Sequence, residues 1–261
     1  WLGSNDCCNA RLIVTGHRHT CVALRTSEAI RCWGGEEADF LSQRQGVLTF
    51  GQQAQSMSAG GFHTCARFGS GSLVCWGANA YGQLGSGDTL DRYPFGDDGP
   101  PVTVDVGPSR QVTAFAAGGY HTCALLDDHK LKCWGSNSSG QLGLGDTADR
   151  GITAGEVSGS GTEVPLTPSP QVIAAGKNHT CAIVGESRAV KCWGDNTYGQ
   201  LGLGDTEHRG DAAGEIGDAL APVELGGAAV QSLALGASHS CALLYNGSVL
   251  CWGANDQGQL G

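Results

Sequence analysis

The amino-acid sequence predicts an all-β protein built from tandem repeats, each of which forms one blade of a β-propeller. Two observations support this prediction. The motif Gly-x-x-His-Thr-Cys (Ser for Thr in the last copy), followed after about ten residues by Cys-Trp-Gly, occurs five times. Around these motifs, short apolar runs alternate with glycine-containing turns. Tandem copies of one unit indicate an architecture in which each repeat buries a surface against its neighbour.

Each repeat is predicted to contain three strands and a weaker fourth. In the third copy, residues 112–117 are β-branched and apolar and end at glycine, which indicates a strand, and residues 121–126 and 131–134 form the next two. In the last copy, Asn246-Gly247 lies between two apolar runs and favours a tight hairpin, because both positions tolerate positive φ. The weaker fourth strand is predicted near residues 222–225. Three or four short antiparallel strands per repeat are typical of a propeller blade.

Composition limits the functional classes open to this chain. Its 261 residues include 43 glycines without a Gly-X-Y period, which predicts many tight turns rather than a collagen helix. A net charge of −10 argues against a nucleic-acid partner, which requires a basic surface. No apolar run is long enough to predict a membrane segment. The chain begins at Trp1 without a methionine and stops at Gly261 inside a motif, so we expect it to be a fragment of a longer protein.

The repeat resembles that of a known family. Gly-x-x-His-Thr-x-Ala-Leu, followed by Trp-Gly-x-Asn-x-x-Gly-Gln-Leu-Gly-x-Gly, is similar to the repeat of the regulator of chromosome condensation family. Residues 118–146, 176–205 and 236–261 carry the resemblance, which extends over residues 16–261. It implies a propeller of seven blades, of which this chain supplies about five as an incomplete ring.

We therefore predict a single propeller fragment over residues 1–261. The blade-like repeats are predicted near residues 1–34, 35–77, 78–135, 136–194 and 195–261. The first linker, residues 35–58, lacks Gly-Gln-Leu-Gly, so a degenerate or capping blade is expected there.

Ten of the twelve cysteines are predicted to pair within their own repeat. The two cysteines of each copy are 10 or 11 residues apart, which places them opposite each other on adjacent strands of a hairpin. Two alternatives remain open: buried free thiols that fill the core, and zinc bound by the His-x-Cys and Cys positions. The predicted pairs are Cys21 with Cys32, Cys65 with Cys75, Cys123 with Cys133, Cys181 with Cys192, and Cys241 with Cys251. Cys7 and Cys8 lie outside this pattern, and their partners are not predicted.

Five disulfides in one chain imply an oxidising compartment. We expect the protein to be extracellular, at the cell surface or in the secretory lumen, with a cytoplasmic location as the alternative. Asn246 and Asn137 each begin an Asn-x-Ser sequon and are candidate glycosylation sites.

The repeated histidines and tryptophans are interpreted as structural. The resemblance implies that the histidines pack and form hydrogen bonds between blades. Each tryptophan follows a cysteine, so strand alternation directs it to the opposite face, where it is expected to lie between neighbouring blades. These residues are His19, His63, His121, His179, His239, Trp33, Trp76, Trp134, Trp193 and Trp252. The acidic segment from Asp205 to Asp218 is expected to be a solvated rim, with calcium binding as the alternative.

These observations favour a non-catalytic scaffold for protein or ligand interaction, within a larger secreted or surface protein. No catalytic residue, cofactor or metal site is predicted, because every polar residue of the motif recurs with the repeat. The family resemblance implies one alternative, guanine-nucleotide exchange on a small GTPase, and a second, enzyme inhibition. The partner is expected to be a protein that meets the loops of one propeller face.

Overall fold

A computed structural model describes residues 9–34, 46–93 and 99–261, and within these residues it contains five antiparallel sheets. Each sheet is one blade, and the predicted all-β propeller of about five blades is confirmed.

Blade 1 contains β1 (Ala10–Thr15), β2 (His19–Leu24), β3 (Ala29–Gly34) and β4 (Gly46–Thr49). Blade 2 contains β5 (Ala54–Ala59), β6 (His63–Phe68), β7 (Leu73–Gly77) and β8 (Val102–Thr103). Blade 3 contains β9 (Val112–Ala117), β10 (His121–Leu126), β11 (Leu131–Gly135) and β12 (Glu163–Val164). Blade 4 contains β13 (Pro170–Ala175), β14 (His179–Val184) and β15 (Ala189–Gly194), and blade 5 contains β16 (Val230–Leu235), β17 (His239–Leu244) and β18 (Val249–Gly253).

The structure differs from the sequence prediction at the outer edges of blades 1 and 4. The predicted boundary between residues 34 and 35 separates β3 from β4, whereas these strands pair in one sheet. The fourth strand predicted near residues 222–225 does not form: Val223 donates one backbone hydrogen bond to Val190 O at 2.8 Å, and no ladder follows. A strand at the edge has one neighbour, so few hydrogen bonds hold it in register. Cys7, Cys8 and residues 35–45 of the first linker lie outside the described residues.

The predicted disulfides are confirmed. In every blade the two cysteines are directly opposite each other in the register of the second and third strands. Their Cα atoms are 4.1 Å apart, close to the roughly 4.5 Å of a non-hydrogen-bonded antiparallel pair. Since every one of these sulfur atoms is bonded to another, neither the free-thiol nor the zinc alternative describes these ten residues.

The hydrophobic core lies between consecutive blades. The disulfide face of one blade packs against the tryptophan face of the next, as Cys123 and Cys133 of blade 3 do against Trp193 of blade 4. The same arrangement recurs at the other three blade junctions. Because side chains alternate along a strand, a cysteine and the tryptophan that follows it point into different junctions. Trp134 and Trp193 are fully buried, and so are both cysteines of blades 2, 3 and 4.

The first strand of each blade is the innermost. Neighbouring first strands contact one another around a common axis, and each ends directly before a glycine. Among the described residues, no helix reaches the length and hydropathy of a membrane span.

Candidate functional site

A chain of polar contacts joins each blade to the next. The ring of His63 in blade 2 lies 2.8 Å from the hydroxyl of Thr122 in blade 3, measured from Nε2 to Oγ1. Thr122 Oγ1 in turn donates to the backbone carbonyl of Gln83 at 2.8 Å. Equivalent His-to-hydroxyl contacts of 2.7 to 3.0 Å occur at the other three junctions. Four of the five repeated histidines therefore connect one blade to the next.

The direction of these hydrogen bonds determines the tautomer of the histidine. A carbonyl can only accept, so the Thr122 proton is directed to Gln83 O and the Thr122 oxygen must accept from His63 Nε2–H. The Nδ1 atoms of His63, His121 and His179 are then unprotonated, and they are buried without a partner among the described residues. Burial, followed by the neighbouring histidines, lowers the pKa of both His63 and His121 to about 3. Burial is also the largest cause that lowers the pKa of His179, to about 4.

The Gly-Gln-Leu-Gly turn supplies the acceptor for this chain. The carbonyl of Gln83 accepts from Trp134 Nε1 at 3.1 Å as well as from Thr122. Gln141 O and Gln200 O each accept from a tryptophan and a hydroxyl in the same way. Trp134, Trp193 and Trp252 therefore lie between blades, with each indole N–H satisfied by the turn that follows the preceding blade. The prediction differs at Trp33, which packs against apolar residues of its own blade.

An open cavity of about 530 Å³ lies at one end of the propeller axis. It is lined by residues from all five described blades, most of them glycine and alanine. The backbone amides that face it are already bonded from one blade to the next: Gly61 N donates to Gly118 O at 3.0 Å, and Gly119 N donates to Gly176 O at 3.1 Å. The larger side chains in the wall are the neighbouring His17, Phe62 and Tyr120 on one side of it, together with Lys177 and Leu235.

Three of these side chains belong to a row of four aromatic rings, which we call the aromatic ladder: His17, Phe62, Tyr120 and Tyr81. Successive ring centroids are 5.7, 5.3 and 5.2 Å apart, and the rings of Phe62 and Tyr120 are nearly parallel at 22°. The first three rings line the cavity, and Tyr81 extends the row beyond it. Phe62 and Tyr81 are 38% and 41% exposed, and His17 is also exposed. Burial, followed by the neighbouring Tyr81, raises the pKa of Tyr120, which stays a neutral phenol.

The charge at this cavity differs from that of the whole chain. The net charge of the protein is −10, yet no described residue that lines the cavity carries a carboxylate. Lys177 lines it, is exposed, and forms no ion pair with a described carboxylate. The cavity mouth therefore combines exposed aromatic surface with an ammonium group that no described carboxylate neutralises.

Two similar loops connect neighbouring blades. We call them clasps: residues 151–157 after β11 and residues 210–216 after β15. In the first, Glu156 Oε2 accepts from the backbone N–H groups of Gly151, Ile152 and Thr153. Lys132 anchors the end of this loop, because its buried Nζ donates to the carbonyls of Val157 and Gly159 at 2.6 and 2.7 Å.

Each clasp is placed on the turn that follows the preceding blade. Gly87 N donates to Gly151 O at 3.1 Å, and Gly145 N donates to Gly210 O at 3.0 Å. The backbones approach so closely that a Cβ on Gly140 would lie 2.3 Å from Asp211 N. Glycine at position 140 is therefore required for two reasons: its φ is positive, and the backbone of the neighbouring clasp leaves no room for a Cβ.

Two glycines at equivalent positions allow the contribution of this contact to stability to be measured. Gly140 and Gly199 occupy the same repeat position with φ values of +75° and +74°, but a Cβ on Gly199 would meet nothing closer than Asp205 O at 3.8 Å. Gly140→Ala and Gly199→Ala share the cost of a left-handed alanine, and only the first adds a clash with backbone. We expect Gly140→Ala to lower the free energy of unfolding by about 1–3 kcal/mol more than Gly199→Ala, as measured by urea denaturation. Equal losses would show that the clasp contact contributes nothing to stability.

Three carboxylates of the acidic segment from Asp205 to Asp218 have hydrogen-bond or ion-pair partners in the structure. Asp205 pairs with Arg209 at 2.7 Å, Glu215 accepts from backbone amides of its own clasp, and Asp218 accepts from Thr167 Oγ1 at 2.5 Å. Among the described residues, no cluster of three potential metal ligands is present. The calcium alternative has no geometric support in this segment.

The two candidate glycosylation sites differ in access. Asn246 is exposed at the tip of the hairpin between β17 and β18, where its Oδ1 accepts from Ser248 N–H. Asn137 is fully buried, and its Nδ2 donates to Asp146 O at 2.7 Å. Burial disfavours the candidate site at Asn137 in the folded protein, because modification would remove a buried donor from a packed turn, and that site stays a prediction. Asn246 stays a prediction.

Sequence reasoning missed the clasps and the aromatic ladder. The clasps had a readable signal, because Arg-Gly-x-x-x-Gly-Glu followed by Val or Ile occurs at residues 150–157 and again at residues 209–216. The aromatic ladder had no such signal in the sequence, because it joins residues from different repeats at positions where the motif varies.

Comparisons with known proteins agree with this geometry. A family described as the regulator of chromosome condensation (RCC1) repeat matches residues 70–125, 128–183 and 190–243. A second profile with the same description matches residues 54–83, 112–141, 172–200 and 230–259. The matches begin inside blade 2 and reach blade 5.

Similar curated proteins include the ultraviolet-B receptor UVR8 of Arabidopsis thaliana, which is 30% identical over 96% of this chain and 54% of its own length. The human E3 ubiquitin-protein ligase HERC2 is 28% identical over 95% of this chain and 5% of its own. The chain thus spans about half of the first relative and a small part of the second.

Solved structures share the fold. Yeast RCC1 (Prp20), in its complex with Kap60, superposes on 95% of this chain and 57% of its own with a TM-score of 0.69 and 19% identity. Human WBSCR16 superposes on 94% of this chain and 62% of its own, with a TM-score of 0.68 and 22% identity.

Proposed function

We propose that this chain, which belongs to the regulator of chromosome condensation (RCC1) repeat family, is a non-catalytic protein-interaction module of a larger secreted or cell-surface protein. Its interaction surface is the aromatic ladder at the mouth of the axial cavity. The blades form the rigid support, and the partner meets the end of the propeller at which the ladder lies.

The exposure of the ladder is the observation that carries this proposal. Large aromatic side chains are usually buried, yet Phe62 and Tyr81 are about 40% exposed within a continuous row of rings. Exposed contiguous aromatic surface marks interaction sites, since aromatic residues give large contact area at low entropic cost. Backbone hydrogen bonds between neighbouring blades hold the wall of the cavity in place. The residues that form them are mostly glycine and alanine, so their side chains do not cover the ladder.

The disulfides support the proposed location. Five bridges on this scaffold fit a compartment in which disulfides form and persist, which is the extracellular space or the secretory lumen. In protein alkylated before extraction from its source and then unfolded, we expect these ten cysteines to be unmodified. Alkylation of all ten would place the protein in a reducing compartment.

Site-specific crosslinking tests the interaction surface. A photoreactive phenylalanine analogue is placed at position 81 or, as the matched control, at position 198. Tyr198 has the same place in its repeat and the same Tyr N to Gln Oε1 turn contact, but no described ring packs against it. We expect a discrete protein adduct at position 81, none at position 198, and a reduced yield at position 81 in the Phe62→Ala variant. Equal crosslinking at both positions would remove the ladder as the interaction surface.

Guanine-nucleotide exchange and enzyme inhibition, the two alternatives implied by the family resemblance, stay predictions. No described feature of the site favours either over the interaction module.

A further inference from the structure

We infer that the axial cavity binds a segment of a partner protein in which an aromatic side chain stands next to an acidic residue. This inference rests on the proposed function and specifies the chemistry of the partner. The aromatic side chain would stack against the ladder at Phe62 and Tyr120, and the carboxylate would pair with Lys177.

The aromatic half of the inference follows from the shape of the wall. The cavity of about 530 Å³ is within the usual range for ligand sites and is widely open at one end. Phe62 and Tyr120 present ring surface to it, and the remaining wall is mostly glycine and alanine, which leaves room for a planar group. Rings pack favourably at centroid separations of about 4.5–7 Å, the spacing that the ladder already uses.

The acidic half follows from the local charge. A carboxylate beside Lys177 would meet an ammonium that has no described ion-pair partner, and no described lining residue would repel it. A basic partner would gain nothing at this mouth, although the chain as a whole carries a net charge of −10. Charge complementarity at an interface selects partners in this way.

The length of the ladder favours a polypeptide over a single small ring. The row continues past the cavity to Tyr81, so an occupant that uses all four rings must be longer than one aromatic group. A carbohydrate would also stack on aromatic rings, but its hydroxyl groups need free donors and acceptors. The backbone amides of His17, Gly61, Gly119 and Lys177 are already bonded across blades, so only a few side chains, such as those of Lys177 and Tyr120, would remain to donate to those hydroxyl groups.

Selection from a library of random displayed peptides tests the inference on the whole chain. We expect the enriched peptides to contain Phe, Tyr or Trp beside Asp or Glu, and their affinity to fall roughly tenfold or more in Phe62→Ala and in Tyr81→Ala. Tyr198→Ala is the matched control and should bind as the unchanged chain does. All of these positions are exposed, and an unchanged circular dichroism spectrum and urea midpoint would verify that each variant is folded.

Charge reversal tests the role of Lys177 separately. In Lys177→Glu, selection should favour Lys or Arg beside the aromatic residue instead of Asp or Glu. Peptides that depend on the ladder but show no acidic preference, or the same preference in Lys177→Glu, would overturn this inference and leave the interaction module standing. Selection that does not depend on the ladder, or ladder-dependent binding of glycans without peptides on a glycan array, would overturn this inference and the proposed protein-interaction surface together.

Discussion

Replacement of Cys123 and Cys133 by alanine is expected to lower the free energy of unfolding by about 3–5 kcal/mol. The bridge closes a loop of about ten residues, which contributes roughly 3 kcal/mol through the entropy of the unfolded chain. Both sulfur atoms are also buried in the core between blades 3 and 4, so their removal leaves a cavity there. Urea denaturation of the variant and the unchanged chain, both without reductant, measures the difference.

The pair Cys241 and Cys251 is the matched control for this experiment. Its bridge closes a loop of the same sequence separation, but both cysteines are only half-buried in the last blade. The Cys241→Ala and Cys251→Ala double variant should lose the entropic contribution and little of the packing contribution. A loss equal to that of the blade 3 variant would show that burial between blades adds nothing. No loss in either variant would contradict the stabilising role of the bridges.

Acidification is expected to destabilise the propeller between about pH 6.5 and pH 4. The folded-state pKa values of His63 and His121 are about 3, and that of His179 is about 4, against 6.5 for an unperturbed histidine. In this window the unfolded chain binds protons that the folded chain does not. The contribution of these histidines to the free energy of unfolding is therefore fully present above pH 6.5 and falls as the pH decreases. Each histidine contributes a slope of about 1.4 kcal/mol per pH unit, or about 4 kcal/mol per unit for the three.

A substitution separates this effect from general acid denaturation. His121→Gln keeps a nitrogen donor that can reach Thr180 but has no titrating group, so the slope between pH 6 and pH 4.5 should fall by about 1.4 kcal/mol per pH unit. His129→Gln, at an exposed hairpin position, is the control. The measurement is the free energy of unfolding in urea at a series of pH values. A slope unchanged by His121→Gln would contradict the assignment of the buried neutral histidines as its source.

The physical cause of the acid sensitivity is the directed hydrogen bond at each junction. A protonated His63 would carry a second N–H, at Nδ1, inside a junction where no described acceptor faces that atom. The neutral ring satisfies Thr122 with its single proton, and the threonine passes its own proton to Gln83 O. Protonation therefore buries both a charge and an unsatisfied donor.

The sequence alone predicted those features of the fold that depend on contacts between residues close together in the chain. The second and third strands of a blade are joined by a short hairpin, so the separation of 10 or 11 residues between cysteines sets which residues face each other across the ladder. The same alternation places Trp134 opposite the cysteine face. Strand order and disulfide pairing were therefore accessible from spacing alone. The outer strands were not, because the chain reaches the blade edge through long loops whose path the spacing does not restrict.

The amino-acid sequence by itself determined the repeat, its all-β character, the paired cysteines and the family, because these depend on periodicity and on contacts within one hairpin. Only the tertiary structure decided which residues of different blades meet. It brought His17, Phe62, Tyr120 and Tyr81 into one row, buried Asn137 inside a packed turn, and placed the clasps against the preceding blade. The reason is that these contacts join residues far apart in the chain, and their geometry is set by how whole blades pack around the axis.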